Sequence, residues 1–314
     1  MTSSEHDAAK IAVLGAGGIG AYYGGLLARS GQKVTLIARG AHLRALQERG
    51  LSVRSVHGDF DLPSIRATDD PAEVGPVDLV LVTVKSYDLE AAARAARPLV
   101  DASTTILPLL NGLDAAERLA AILGDDHVLP GLTHISSRIV APGVVEQVSA
   151  VQRITFGEPG GSTTDRAWQI DAILSAAGID TVLSPAIDLA LWEKFLFIAS
   201  IGGVCCIARQ PMGPVLHTPE TRQLYTTAIQ EVEAVGRARG VALPDGVVAS
   251  ILDMSEGFAP ATRPSLLVDL EAGHRLELEA MSGTVVRYGQ QAGIPTPVHG
   301  VIYAALKPSA APEP

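Results

Sequence analysis

Only two cysteines occur among the 314 residues, Cys205 and Cys206, and they are adjacent. Neighbouring cysteines rarely form a structural bridge and carry no metal-ligand spacing, so a disulfide framework and a cysteine metal site are excluded. That absence reads as an intracellular chain. Aromatic residues make up 4%, which leaves a core to be built from Ala, Leu, Val and Ile. Positive charge is in deficit: 24 Lys and Arg face 34 Asp and Glu, for a formal charge of −10. A surface of that sign disfavours nucleic acid or an anionic membrane as a partner. No run reads as long enough to cross a bilayer. The opening residues, with Glu5 and Asp7, lack the pattern of a signal peptide. A cytoplasmic location is expected. The last residues, from Pro308, form an Ala/Pro tail expected to fray.

What is present begins at Ile11, where four apolar residues run into Gly15-Ala-Gly-Gly-Ile-Gly20 and then into a small-residue helix pattern. A continuous apolar run fits a buried parallel strand. In that setting Gly15 permits a tight turn, Gly17 lets backbone approach a pyrophosphate, and Gly20 lets helix and strand pack closely. Ala16, Gly18 and Ile19 complete the loop. The phosphates would sit on the free N–H groups at the start of the helix. The next strand, Lys33–Ala38, ends at Arg39, with no carboxylate before Glu48. An acidic residue there would favour NAD, whereas an arginine can pair with a 2′-phosphate. The cofactor reading is NADP(H); the plain alternative is a solvated arginine at a strand end.

Further strands are expected over Leu51–Val56, Asp78–Val84, Thr104–Leu107, Ser136–Ala141, Val144–Val148, Arg153–Phe156 and Asp180–Leu183. Two of these empty into loops that carry chemistry, Lys85 and Asn111, at the strand ends where ligands of open α/β sheets bind. Lys85 either reaches a phosphate or ribose or is a solvated loop lysine, and Asn111 lies in an Asn-Gly turn. Pro185 marks the boundary between a nucleotide-binding domain, 1–184, and a helical domain, 185–314. In the helical part Lys194 shares a face with Leu191, Ile198 and Ile201. It either snorkels to water or sits in a dry site with a task. Gly202-Gly203 is expected to bend this helix or mark a close contact. Arg209–Gly213 reads as a loop, and Leu276–Glu279 as the start of a final long helix ending near Tyr288. First-turn placement on the helix dipole would explain Glu277 and Glu279 alike. His134, His217, His274 and His299 show no ligand or triad spacing and are assigned structural or surface roles.

Gly15-Ala-Gly-Gly-Ile-Gly20, Ala38-Arg39, Thr83-Val-Lys85, Asn111-Gly112, Leu191-Trp-Glu-Lys194, Pro264-Ser265 and Leu276-Glu-Leu-Glu279 together resemble the ketopantoate reductase family. The resemblance covers the chain from Ile11 to about Lys307. It implies an N-terminal Rossmann-type dinucleotide-binding domain, an all-helical C-terminal domain, a site between them, NADPH as hydride donor and a homodimer. Arg39 would hold the 2′-phosphate, Lys85 and Asn111 would flank the nicotinamide ribose, and Ser137 would touch the cofactor. Lys194 would be the catalytic lysine, Glu277 its nearby glutamate and Ser265 a substrate-binding serine. Characterised members carry substrate-binding asparagines where this chain has Ile198, Gly202 and Met212. Those changes predict a wider, more apolar pocket. The expected activity is reduction of a carbonyl similar to ketopantoate, as in pantothenate synthesis. One alternative is the same chemistry on a bulkier ketone or imine, and another is a non-catalytic NADP-binding sensor.

Overall fold

The structure is a computed structural model that describes residues 8–310. The described chain divides into two compact units. One runs to Leu110 and resumes over Asp114–Ile187; the other holds Asn111–Leu113 and everything from Asp188 onward.

In the first unit the chain runs β1 (Lys10–Leu14), α1 (Gly18–Arg29), β2 (Lys33–Ile37), α2 (Gly40–Arg49), β3 (Leu51–Ser55), β4 (Phe60–Leu62), β5 (Arg66–Thr68), β6 (Leu79–Val82), α3 (Leu89–Ala95), β7 (Thr105–Pro108), α4 (Ala115–Leu123), β8 (Gly131–His134), β9 (Ser137–Ala141), β10 (Val144–Gln147), β11 (Arg153–Phe156), α5 (Asp165–Ala176) and β12 (Asp180–Leu183). A five-stranded, all-parallel sheet in the order β5-β2-β1-β6-β7 forms its centre. β1 is the central strand, which is why Ile11–Leu14 are all apolar and buried. Each such Leu, Ile or Val side chain contributes about 1.5–3 kcal/mol through burial. A second sheet pairs β4-β3-β10-β9 and a third β12-β11-β8. Two hairpins form as antiparallel pairs, β3 with β4 and β9 with β10, the second turning at Pro142-Gly143.

Among the described residues the second unit contains no strand. It comprises α6 (Ile187–Ala208), α7 (Met212–His217), α8 (Pro219–Ala238), α9 (Val247–Glu256), α10 (Ser265–Glu271), a π-turn at Glu279–Gly283, α11 (Thr284–Ala292) and α12 (Pro297–Leu306). Four sequence expectations are decided here. First, of the two readings of Gly202-Gly203 the close contact holds: α6 passes through them without interruption, and a Cβ on Gly203 would meet Ile302 at 2.9 Å. Second, Met212 and Gly213 open α7, because their N–H groups are taken by Thr262 O and Pro260 O, both at 2.9 Å. Third, Leu276 and Glu277 precede the π-turn rather than starting a helix, and a separate α12 follows. Fourth, α6 is, at 22 residues and a mean hydropathy of 1.6, long and apolar enough to cross a membrane. Its window is 61% buried inside the protein, as befits the spine of an apolar core that includes Phe195, Leu196, Ala199 and Val204. Frayed chain from Pro308 is also corrected as far as the described residues reach: Lys307–Ser309 form a 3₁₀ turn, and the Ala310 carbonyl accepts the Leu276 N–H at 3.2 Å. The remainder of that tail lies outside the described residues.

Candidate functional site

The glycine loop sits between the carboxyl end of β1 and α1. Gly15 adopts φ +98°, and a Cβ there would lie 2.8 Å from the Val84 backbone nitrogen, so only glycine serves. Gly17 is the N-cap of α1 and has no atom within 4 Å of where a Cβ would be. The first helical hydrogen bond is donated by Ala21 to Gly17. The N–H groups of Gly18, Ile19 and Gly20 therefore point out of the helix end, without a side-chain cap and without an acidic residue in the first turn. Three orphan donors, a positive dipole end and open space above Gly17 match the needs of a diphosphate. The residues present fit a dinucleotide.

Gly18 has a role that the motif spacing does not reveal. A Cβ on it would fall 2.6 Å from the Arg138 backbone, and the Ser137 hydroxyl donates to the Gly18 carbonyl at 2.8 Å. The start of β9 is thus locked onto the first turn of α1, which brings Ser137 beside the loop. Arg39 follows β2 as the N-cap of α2 and is exposed. Among the described residues its guanidinium forms no hydrogen bond or ion pair. Lys85, after β6, is partly buried in a loop that Arg118 braces by donating to the Ser86 carbonyl at 2.9 Å.

Lys194, Glu277, Ile198, Gly202, Ser265 and Met212 belong to the second unit, and so does Asn111. Asn111 precedes a turn residue, Gly112 (φ +106°), whose missing Cβ leaves 3.3 Å to Ala280. Lys194 is partly buried on the apolar face of α6. Burial lowers its pKa from 10.5 to about 8, and the negative charge of Glu277 resists the fall. The two glutamates that dipole placement explained alike are unlike. Glu277 is 7% exposed, whereas Glu279 is exposed and accepts from Tyr303 Oη at 2.8 Å and from Lys307 Nζ. Gly202 faces α10, with Leu266 Cβ 3.6 Å from the position a Cβ would take. Met212 is fully buried in the helical core and Ser265, the first residue of α10, is exposed.

A family model described as ketopantoate reductase PanE/ApbA matches residues 11–161, and its C-terminal counterpart matches residues 186–310. The chain belongs to the ketopantoate reductase family. Among its relatives, a 2-dehydropantoate 2-reductase of Nostoc sp. (strain PCC 7120) is 30% identical over 303 residues, covering 95% of this chain and 94% of that protein. An uncharacterized oxidoreductase of Bacillus subtilis (strain 168), YkpB, is 29% identical over 299 residues, covering 95% and 98%. The crystal structure of 2-dehydropantoate 2-reductase from Geobacter metallireducens GS-15 superposes with a TM-score of 0.90 at 34% identity, covering 96% of this chain and 99% of that one. A D-mandelate dehydrogenase solved with NADH and anilino(oxo)acetate shares the fold, with a TM-score of 0.86 at 24% identity. The family model and these reductase relatives make the chain a ketopantoate-reductase-like oxidoreductase.

Proposed function

We propose that the protein is an NADPH-dependent reductase of a small carbonyl compound, with Lys194 as proton donor. The observation that carries the reading is the desolvated ammonium of Lys194, poised near neutrality on an apolar helix face with the charge of buried Glu277 acting on it. When bound, the reduced nicotinamide supplies a hydride to the carbonyl carbon and is left oxidised. The carbonyl π bond breaks, a C–H bond forms, and negative charge gathers on oxygen. Lys194 stabilises that charge and gives up its proton, completing the hydroxyl group; water then reprotonates the amine. Glu277 orients the lysine and favours its charged form. Gly15–Gly20 hold the diphosphate, Arg39 the 2′-phosphate, Lys85 and Asn111 the ribose of the nicotinamide, and Ser137 fixes the loop. Ser265 binds substrate. A cytoplasmic homodimer accompanies this reading by family analogy.

The same geometry favours a substrate more apolar than ketopantoate. Ile198 lies one helical turn from Lys194 and offers no hydrogen bond, Gly202 offers none, and Met212 is buried in the core. A pocket that cannot bond a substrate hydroxyl discriminates weakly for it. The deciding experiment follows NADPH oxidation with ketopantoate beside bulkier ketones, 2-oxo acids and cyclic imines, with Lys194→Ala as the control. Turnover abolished in that variant supports the reductase; tight NADPH binding with no turnover of any compound makes the protein a sensor instead.

A further inference from the structure

We propose that Phe197 and Phe258 form a recognition site for a flat aromatic ring carried by the carbonyl substrate, next to the reacting carbon. The inference rests on Lys194 being the proton donor. Phe197 follows Lys194 by three residues on α6, so their Cβ atoms lie about 5–6 Å apart on one face. Its ring stacks on that of Phe258, with centroids 5.3 Å apart and planes inclined by 17°. Phe258 comes from a different segment, the loop between α9 and α10, and its side chain is 40% exposed.

Three contacts fix that loop. Met212 N–H donates to Thr262 O, Gly213 N–H donates to Pro260 O, and Phe258 N–H donates to Ser255 O at 3.2 Å. The same loop leads directly into Ser265, and Leu266 then packs on Gly202. One short segment therefore brings the Phe258 ring onto Phe197, one turn along α6 from Lys194, and continues into α10, whose Leu266 packs on Gly202 of the same helix. Where a polar ligand would need hydrogen-bond partners, this segment offers a two-ring stack whose outer member, Phe258, stays accessible. A third planar ring can extend such a stack in offset or edge-on geometry, a gain that a saturated ring of equal volume lacks.

The test compares kcat/KM of the purified full-length protein, with NADPH, for phenylglyoxylate, cyclohexylglyoxylate and ketopantoate. Phenylglyoxylate is expected to lead both others by about tenfold or more. Phe258→Ala and Phe197→Leu should each lower the phenylglyoxylate-to-cyclohexylglyoxylate ratio by about fivefold, and Phe258→Tyr should restore it. A melting curve for each variant separates this from unfolding. Preference for ketopantoate, equal use of the two glyoxylates, or a ratio unmoved in folded variants would overturn the aromatic site while leaving the reductase intact. Failure of every carbonyl compound, with NADPH bound, would overturn the reductase reading and the site with it.

Discussion

Ser282 and His299 meet at 3.2 Å between Oγ and Nδ1, both fully buried, and so tie the π-turn to α12. The other ring nitrogen lies 3.2 Å from the Ala228 carbonyl, which can only accept, so Nε2 carries the proton and Nδ1 accepts from Ser282. Glu231 of α8 completes the cluster by accepting the N–H groups of Val298 and His299, at 2.7 and 2.9 Å. Burial holds the His299 pKa down at about 4, against 6.5 when exposed.

The unfolded chain thus takes up a proton at His299 that the folded chain refuses. The resulting stability is fully present above pH 6.5 and is lost as pH falls toward 4, by up to about 3 kcal/mol. Glu231, whose pKa burial raises, opposes this over the range just above its ordinary value. Urea titrations between pH 7 and 4 should show the decline, and His299→Gln should flatten it. An unchanged slope in that variant would refute the assignment.

The two central glycines of the loop should behave oppositely. Gly18→Ala drives a methyl into the Arg138 backbone and is expected to cost about 1–3 kcal/mol in stability. Gly17→Ala meets nothing in the protein, so it should melt within a degree or two of the parent while NADPH affinity drops about tenfold or more. Calorimetry paired with NADPH titration checks both.

Arg39 is expected to set the choice of dinucleotide. Arg39→Asp removes a charge-assisted pair worth about 1.5–3 kcal/mol, so NADPH affinity should fall about 10–100-fold. NADH should be used equally well or better. Equal loss for both cofactors would show that the arginine does not read the 2′-phosphate.

Reduction should fade with rising pH. Lys194 is protonated below its pKa of about 8, so kcat/KM for carbonyl reduction is expected to fall tenfold per pH unit above that value. Glu277→Gln removes the charge that favours the ammonium and should move the break to lower pH. A profile level through pH 9.5 would exclude the lysine as donor.

The parallel-sheet half was legible because its signals are local: an apolar run, then glycines whose spacing states the turn. Gly18 was legible only in part, since its need for a bare Cα comes from β9, more than a hundred residues away. The helical half yielded less. Gly202-Gly203 looks the same in sequence whether it breaks a helix or seats one, and only Ile302 and Leu266 decide between them. Glu277 and Glu279 share a spacing that suits a first turn, but a π-turn throws them to opposite environments. Phe197 and Phe258 escaped notice because neither belongs to a motif; the signal was available only as an aromatic one turn after Lys194.

Asn111, Gly112 and Leu113 are counted with the second unit although residues on both sides of them belong to the first. The backbone therefore crosses from one unit to the other three times, after Leu110, after Leu113 and after Ile187. A single scission near Pro185 would not produce two self-sufficient halves. The amino-terminal fragment would keep a three-residue stub lacking its neighbours, and the carboxyl-terminal fragment would expose Ala280 where Gly112 had covered it. Gene fission or swapping of one half between relatives would have to preserve this small loan of chain.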